Sequence, residues 1–105
     1  MTRHGINLDS EAVHSFCRKW KISELSVFGS VLGNEFGPKS DLDFVVEFEA
    51  NSDWDLSDIA DMSEDLSRIL GREVDVITQY ALKTSPNWLL RKRILSSMET
   101  VYASR

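Results

Sequence analysis

Gly29-Ser30, ten intervening residues and then Asp41-Leu42-Asp43 are the residues of this chain most able to do chemistry together. Glycine allows close approach of backbone or phosphate, and a serine hydroxyl with nearby backbone N–H groups can bond phosphate oxygens. Asp41 and Asp43 are hard oxygen ligands, of the kind that hold Mg²⁺ jointly with substrate phosphates. Two carboxylates held close together repel, and a cation removes that conflict. Asp75 lies further along, between Val74 and Val76. If its strand neighbours that of Asp43, three acids could support two-metal catalysis, with one ion at an attacking hydroxyl and the other at a leaving pyrophosphate.

The elements needed to position these residues are legible from periodicity. Val13, Phe16, Cys17 and Trp20 form one helical stripe over Asp9–Trp20, with Asp9 expected as N-cap. Leu25 to Phe28 reads as a short strand that ends at Gly29-Ser30, where a turn or helix start follows. Phe36-Gly37-Pro38-Lys39-Ser40 is turn-rich. From Asp41 to Phe48 the chain alternates, with Leu42, Phe44, Val46 and Phe48 on one face and Asp41, Asp43, Val45 and Glu47 on the other.

A helix is expected from Trp54 to Leu70, with Leu56, Ile59, Leu66 and Leu70 inward and Gly71 closing it. Glu73–Thr78 reads as a third strand, with Glu73, Asp75 and Ile77 sharing a face. Ser85-Pro86 resembles an N-cap with proline at the first helical position, opening a helix with Leu90, Ile94, Leu95 and Met98 inward. The expected fold class is α/β (α+β), one small mixed β-sheet flanked by helices, within a single domain spanning 1–105.

A formal charge of -5 makes nucleic acid an unlikely partner and favours a basic protein surface. Cys17 is the only cysteine, which excludes an intrachain disulfide and fits a reducing compartment. Neither a signal-peptide core nor an apolar run of about 20 residues is present, so the expected location is cytoplasmic, without a membrane. Self-association stays open.

Other chemistry-bearing residues have blander readings. His4 and His14 lack a paired ligand at metal spacing and read as surface residues. Cys17 reads as core, and Trp20, Trp54 and Trp88 as packing rather than base-stacking groups. Asp53, Asp55, Asp58, Asp61, Glu64 and Asp65 read as a solvated helix face, and Arg91-Lys92-Arg93 as the exposed side of a helix.

Leu25-Ser26-Val27-Phe28-Gly29-Ser30-Val31-Leu32, Ser40-Asp41-Leu42-Asp43-Phe44 and Val74-Asp75-Val76 together resemble the minimal nucleotidyltransferases of the DNA polymerase β-like superfamily. The likeness runs through Arg91-Lys92-Arg93-Ile94-Leu95 to Val101-Tyr102. It implies a nucleotidyltransferase fold in which Asp41 and Asp43 bind Mg²⁺, Gly29 and Ser30 hold the triphosphate of ATP, and Asp75 helps deprotonate the acceptor. It further implies an antitoxin that passes AMP to a tyrosine of a HEPN-domain ribonuclease toxin. The alternatives are an antitoxin that acts by binding alone and a transferase for a small molecule. One departure stands out: Gly33-Asn34 occupies the place where the family often carries Arg-Gly, and Gly37 and Lys39 also stand where other residues are common.

Overall fold

The computed structural model describes residues 2–34 and 36–104. Its centre is a four-stranded mixed sheet made of β3 (Ile22–Phe28), β4 (Leu42–Phe48), β5 (Val74–Thr78) and β6 (Glu99–Ala103). The order is β5-β4-β3-β6; β3 runs antiparallel to both of its neighbours, whereas β4 and β5 are parallel. Ahead of the sheet, β1 (Thr2–Arg3) and β2 (Ile6–Asn7) form a small hairpin. Its two-residue turn, His4-Gly5, has positive φ at both positions, as a type I′ turn requires.

Two helices cover one face of the sheet. Helix α1 (Glu11–Lys19) buries Val13, Phe16 and Cys17, and α2 (Leu56–Leu70) buries Met62 and Leu66. They enclose Leu25, Val27, Leu42, Phe44, Val46 and Val74 of the strands in the main core. Full burial of side chains of this size contributes about 1.5–3 kcal/mol each, which is what holds such short helices in place. Burial also pushes the Cys17 thiol up to about 12, so it is an inert core group.

The opposite face carries a smaller apolar cluster. Val45 packs with Leu82 of α3 (Gln79–Lys83) and Ile94 of α4 (Trp88–Ser97), joined by Phe28, Ile77 and Met98. The alternation of β4 places Val45 on the same side as Asp43. This face is therefore closed by helices at one end and carries carboxylates at the other.

Several expectations are corrected. Ser10, not Asp9, caps α1, its hydroxyl accepting from the Val13 N–H at 3.3 Å. Strand β3 begins at Ile22 rather than Leu25, paired with Phe48 across a register shift. Asp41 falls just before β4, and Glu73 just before β5. Asn87 caps α4 instead of Ser85, accepting from the Leu90 N–H at 3.1 Å, while Ser85 Oγ accepts from the Asn87 N–H. Helix α4 consequently turns only Ile94 fully inward, with Met98 at its C-terminal end, leaving Leu90 and Leu95 exposed; Leu56, at the start of α2, is 87% exposed.

The acidic face of α2 is more than solvated charge. Asp55 and Asp58 form a reciprocal capping box at its N-terminus. Asp65 accepts from the Trp20 indole N–H at 3.0 Å and pairs with Lys19 and Arg68, and these contacts, the indole hydrogen bond foremost, lower its pKa. A carboxylate with a lowered folded-state pKa stabilises the fold above its ordinary 3.8, and this is lost as pH falls through the lowered value. Asp65→Asn should therefore cost about 1 kcal/mol at neutral pH. In urea titrations its difference from the parent should shrink towards zero in acid; a gap that persists unchanged there would exclude this linkage.

Candidate active site

Asp43 is the second residue of β4, and its register fixes the surroundings. It lies opposite Phe28 on β3, the residue before Gly29, and beside Asp75 on β5. Strands stand about 4.8 Å apart, and residues paired in register project to the same side. The Asp43 and Asp75 carboxylates therefore leave the sheet as neighbours. The parallel pairing is continued before the strands, where the Leu42 N–H donates to the Glu73 carbonyl at 2.9 Å.

Gly29 opens a short 3-10 turn, Gly29–Leu32, that packs on β4. Its φ is +82°, and a Cβ there would stand 2.5 Å from Oδ2 of Asp43. The close approach that demands glycine is thus made by the Asp43 carboxylate, with positive φ as a second requirement. Ser30 follows at the exposed start of the turn, and no side chain caps that end. The exposed hydroxyl of Ser30 and the N–H groups at this end are of the type that could bond phosphate oxygens.

Electrostatics join the three acids. Burial raises the pKa of Asp43, and the Asp75 and Asp41 charges raise it further. Asp41 and Asp75 are themselves exposed. Among the described residues no three His, Cys, Asp or Glu side chains are gathered into a ready-made metal cage. The three carboxylates are close enough for Asp43 to feel both others, yet open towards solvent. That arrangement suits Mg²⁺, which dehydrates reluctantly and is usually held by one or two carboxylates, waters and substrate phosphates.

The segment between the serine and the aspartates has supports that sequence reading missed. His4 is exposed, as expected of a surface residue, and its ring also packs on Phe36 at 4.9 Å while its Nε2 is 2.9 Å from the Gly33 carbonyl. On the other side of Phe36 lies Arg72, with its guanidinium carbon 4.4 Å from the ring centre. The motif pattern gave no hint of either contact. Trp20 and Trp54 pack edge to face, and Trp54 donates to the Trp20 carbonyl, so both are structural. Gly33, Asn34 and Lys39 are exposed.

The glycine-serine turn thus lies against Asp43 of β4, with Asp75 of the adjoining β5 beside it, at one end of the mixed sheet. The description "Nucleotidyltransferase domain" fits residues 10–101, nearly the whole chain, and the chain belongs to that family of transferases. A solved structure described as a putative minimal nucleotidyltransferase is 34% identical, covers 85% of each chain and superimposes with a TM-score of 0.65. Among curated relatives, "Putative protein adenylyltransferase MJ1379" of Methanocaldococcus jannaschii is 36% identical over 61% of this chain; the match spans 64% of that relative's length. A chain from the complex of tri-AMPylated Shewanella oneidensis HEPN toxin with MNT antitoxin shares the fold, with a TM-score of 0.62 at 17% identity over 92% of this chain and 71% of that one.

Proposed function

We propose that the chain, as one domain spanning 1–105, is a Mg²⁺-dependent nucleotidyltransferase antitoxin that passes AMP from ATP to a hydroxyl, a tyrosine, of a partner HEPN ribonuclease toxin in the cytoplasm. The observation that carries this reading is the in-register pairing of Asp43 with Asp75 over a glycine that the Asp43 carboxylate itself requires. The adenylyltransferase description of the curated relative and the AMPylated toxin in the neighbouring complex support the choice of AMP and of a protein acceptor.

In this reading Asp41 and Asp43 hold Mg²⁺, with Asp75 completing the acidic set, and Gly29 and Ser30 seat the triphosphate. Bound Mg²⁺ would neutralise charge on the phosphates and on the departing pyrophosphate. The acceptor oxygen bonds to the α-phosphorus, and the bond to the β,γ-pyrophosphate breaks with its electron pair leaving on the pyrophosphate. The acceptor proton passes to Asp75, which is exposed and beside Asp43. The chain's own contribution is chiefly orientation and charge placement, which supply much of the rate in phosphoryl chemistry.

Incubation with ATP, Mg²⁺ and a candidate HEPN-domain partner should add the mass of one or more AMP groups to that partner. No mass gain under any divalent metal would end the catalytic reading. A second reading is favoured by the exposed Gly33-Asn34 pair, which puts no cation where an arginine could grip phosphate through two parallel bonds. Here the chain would neutralise its toxin by contact alone. An Asp41→Asn, Asp43→Asn double variant that still neutralises fully would select this second reading.

A further inference from the structure

Arg72 lies in the turn from α2 to β5 and reaches with its side chain to the segment that leads into Asp41. Its guanidinium donates to the Gly37 carbonyl at 2.5 Å and the Ser40 carbonyl at 2.8 Å, and it stacks on Phe36. The same segment is closed internally, the Gly37 N–H donating to Ser40 Oγ at 3.0 Å and the Ser40 N–H to the Gly37 carbonyl at 3.1 Å. Arg72 is itself anchored, because its carbonyl accepts a hydrogen bond from Ser67 Oγ on α2.

Without Arg72 the Gly37 carbonyl would keep only the Ser40 N–H and the Ser40 carbonyl would lose its guanidinium donor, and the residue after Ser40 is Asp41. From this geometry we infer that Arg72 is the positioning residue of the metal site, aiming Asp41 by holding Phe36–Ser40 from the side of α2. The inference rests on the nucleotidyltransferase reading above. It also accounts for a cation being spent away from phosphate. Both hydrogen bonds come from one guanidinium nitrogen, and the guanidinium carbon lies 4.4 Å from the Phe36 ring centre, so one group serves the carbonyls and the ring together. Lysine can replace at most the hydrogen bonds.

Groups that orient metal ligands typically change metal affinity by about 10- to 100-fold when removed. Arg72→Met should therefore weaken Mn²⁺ binding in the presence of ATP by about tenfold, read as free Mn²⁺ by electron paramagnetic resonance. Arg72→Lys should recover part of that loss, and Phe36→Leu, which removes the ring platform and keeps an apolar side chain, should lose less than Arg72→Met. Hydrogen exchange should show faster amides at Gly37 and Ser40 in Arg72→Met, with those of β4 and β5 unchanged. In transfer assays the effect should fall on the KM for MgATP more than on kcat.

An Arg72→Met protein that binds Mn²⁺ as the parent does would overturn the inference and leave the transferase reading standing. Equal weakening in the lysine and methionine variants, or faster exchange spread through β4 and β5, would likewise overturn it, since Arg72 would then be acting on the fold at large. A parent that binds no Mn²⁺ with ATP defeats both the transferase reading and this inference.

Discussion

Asparagine at position 43 should lower kcat/KM for nucleotide transfer by about a hundred- to a thousandfold while the melting temperature stays at or above the parent's. Asp43 carries a raised pKa because it is partly buried beside two other carboxylates. Asparagine keeps the shape, removes the repulsion and, in the transferase reading, would leave Mg²⁺ with a neutral ligand. The sign with pH follows directly. The folded chain holds the Asp43 proton more tightly than the unfolded chain, so the parent loses stability as pH rises from the ordinary 3.8 through the raised folded value. The variant's advantage should appear over that window and persist at neutral pH, in metal-free buffer. A melting temperature more than about 4 °C below the parent's, near 1 kcal/mol for a domain of this size, would make Asp43 a structural residue.

Alanine at position 29 should affect both properties at once. A Cβ at 2.5 Å from Oδ2 of Asp43 has to push the carboxylate aside, and φ of +82° is strained for any L residue. Loss of about 1–3 kcal/mol of stability and at least about a hundredfold in transfer is expected, because small misplacements at a reacting centre have effects of that size. Gly5→Ala separates the two causes. Gly5 has φ of +79° and no atom within 4 Å of an added Cβ. It should lose stability through backbone strain alone and keep its transfer rate per folded molecule. Transfer by Gly29→Ala at the parental rate would show that the Asp43 carboxylate has room to spare.

The candidate site's strand faces were legible because their signals are local. Alternation in Leu42–Phe48 and Val74–Thr78 set which residues share a face, and only the neighbouring of the two strands had to be assumed; the register supplies it directly, Asp43 against Asp75. The reason for Gly29 was not legible, since a sequence shows that glycine is present and not which atom approaches it. Arg72, Phe36 and His4 were missed on the same ground. Their contacts join residues 29 to 36 positions apart in the chain, which no periodicity can encode. Helix ends slipped by one or two residues wherever two capping side chains stood close together, as at Asp9-Ser10 and Ser85–Asn87. Helix α3 is too short for a periodic signature. Strand β6 mixes charge and apolar residues at a sheet edge, so only Val101 in it is buried.

Strand β6 has one more effect, on the order in which the molecule can be made. It fills the second edge of β3, whose other edge is taken by β4, and among the described residues it follows every other strand of the sheet in sequence. While a ribosome is still extending the polypeptide, Ile22, Leu25 and Val27 therefore sit in a strand with one row of amide groups unmatched. An apolar strand in that condition invites pairing with another nascent copy. Truncation before Glu99 should accordingly yield insoluble rather than merely inactive product.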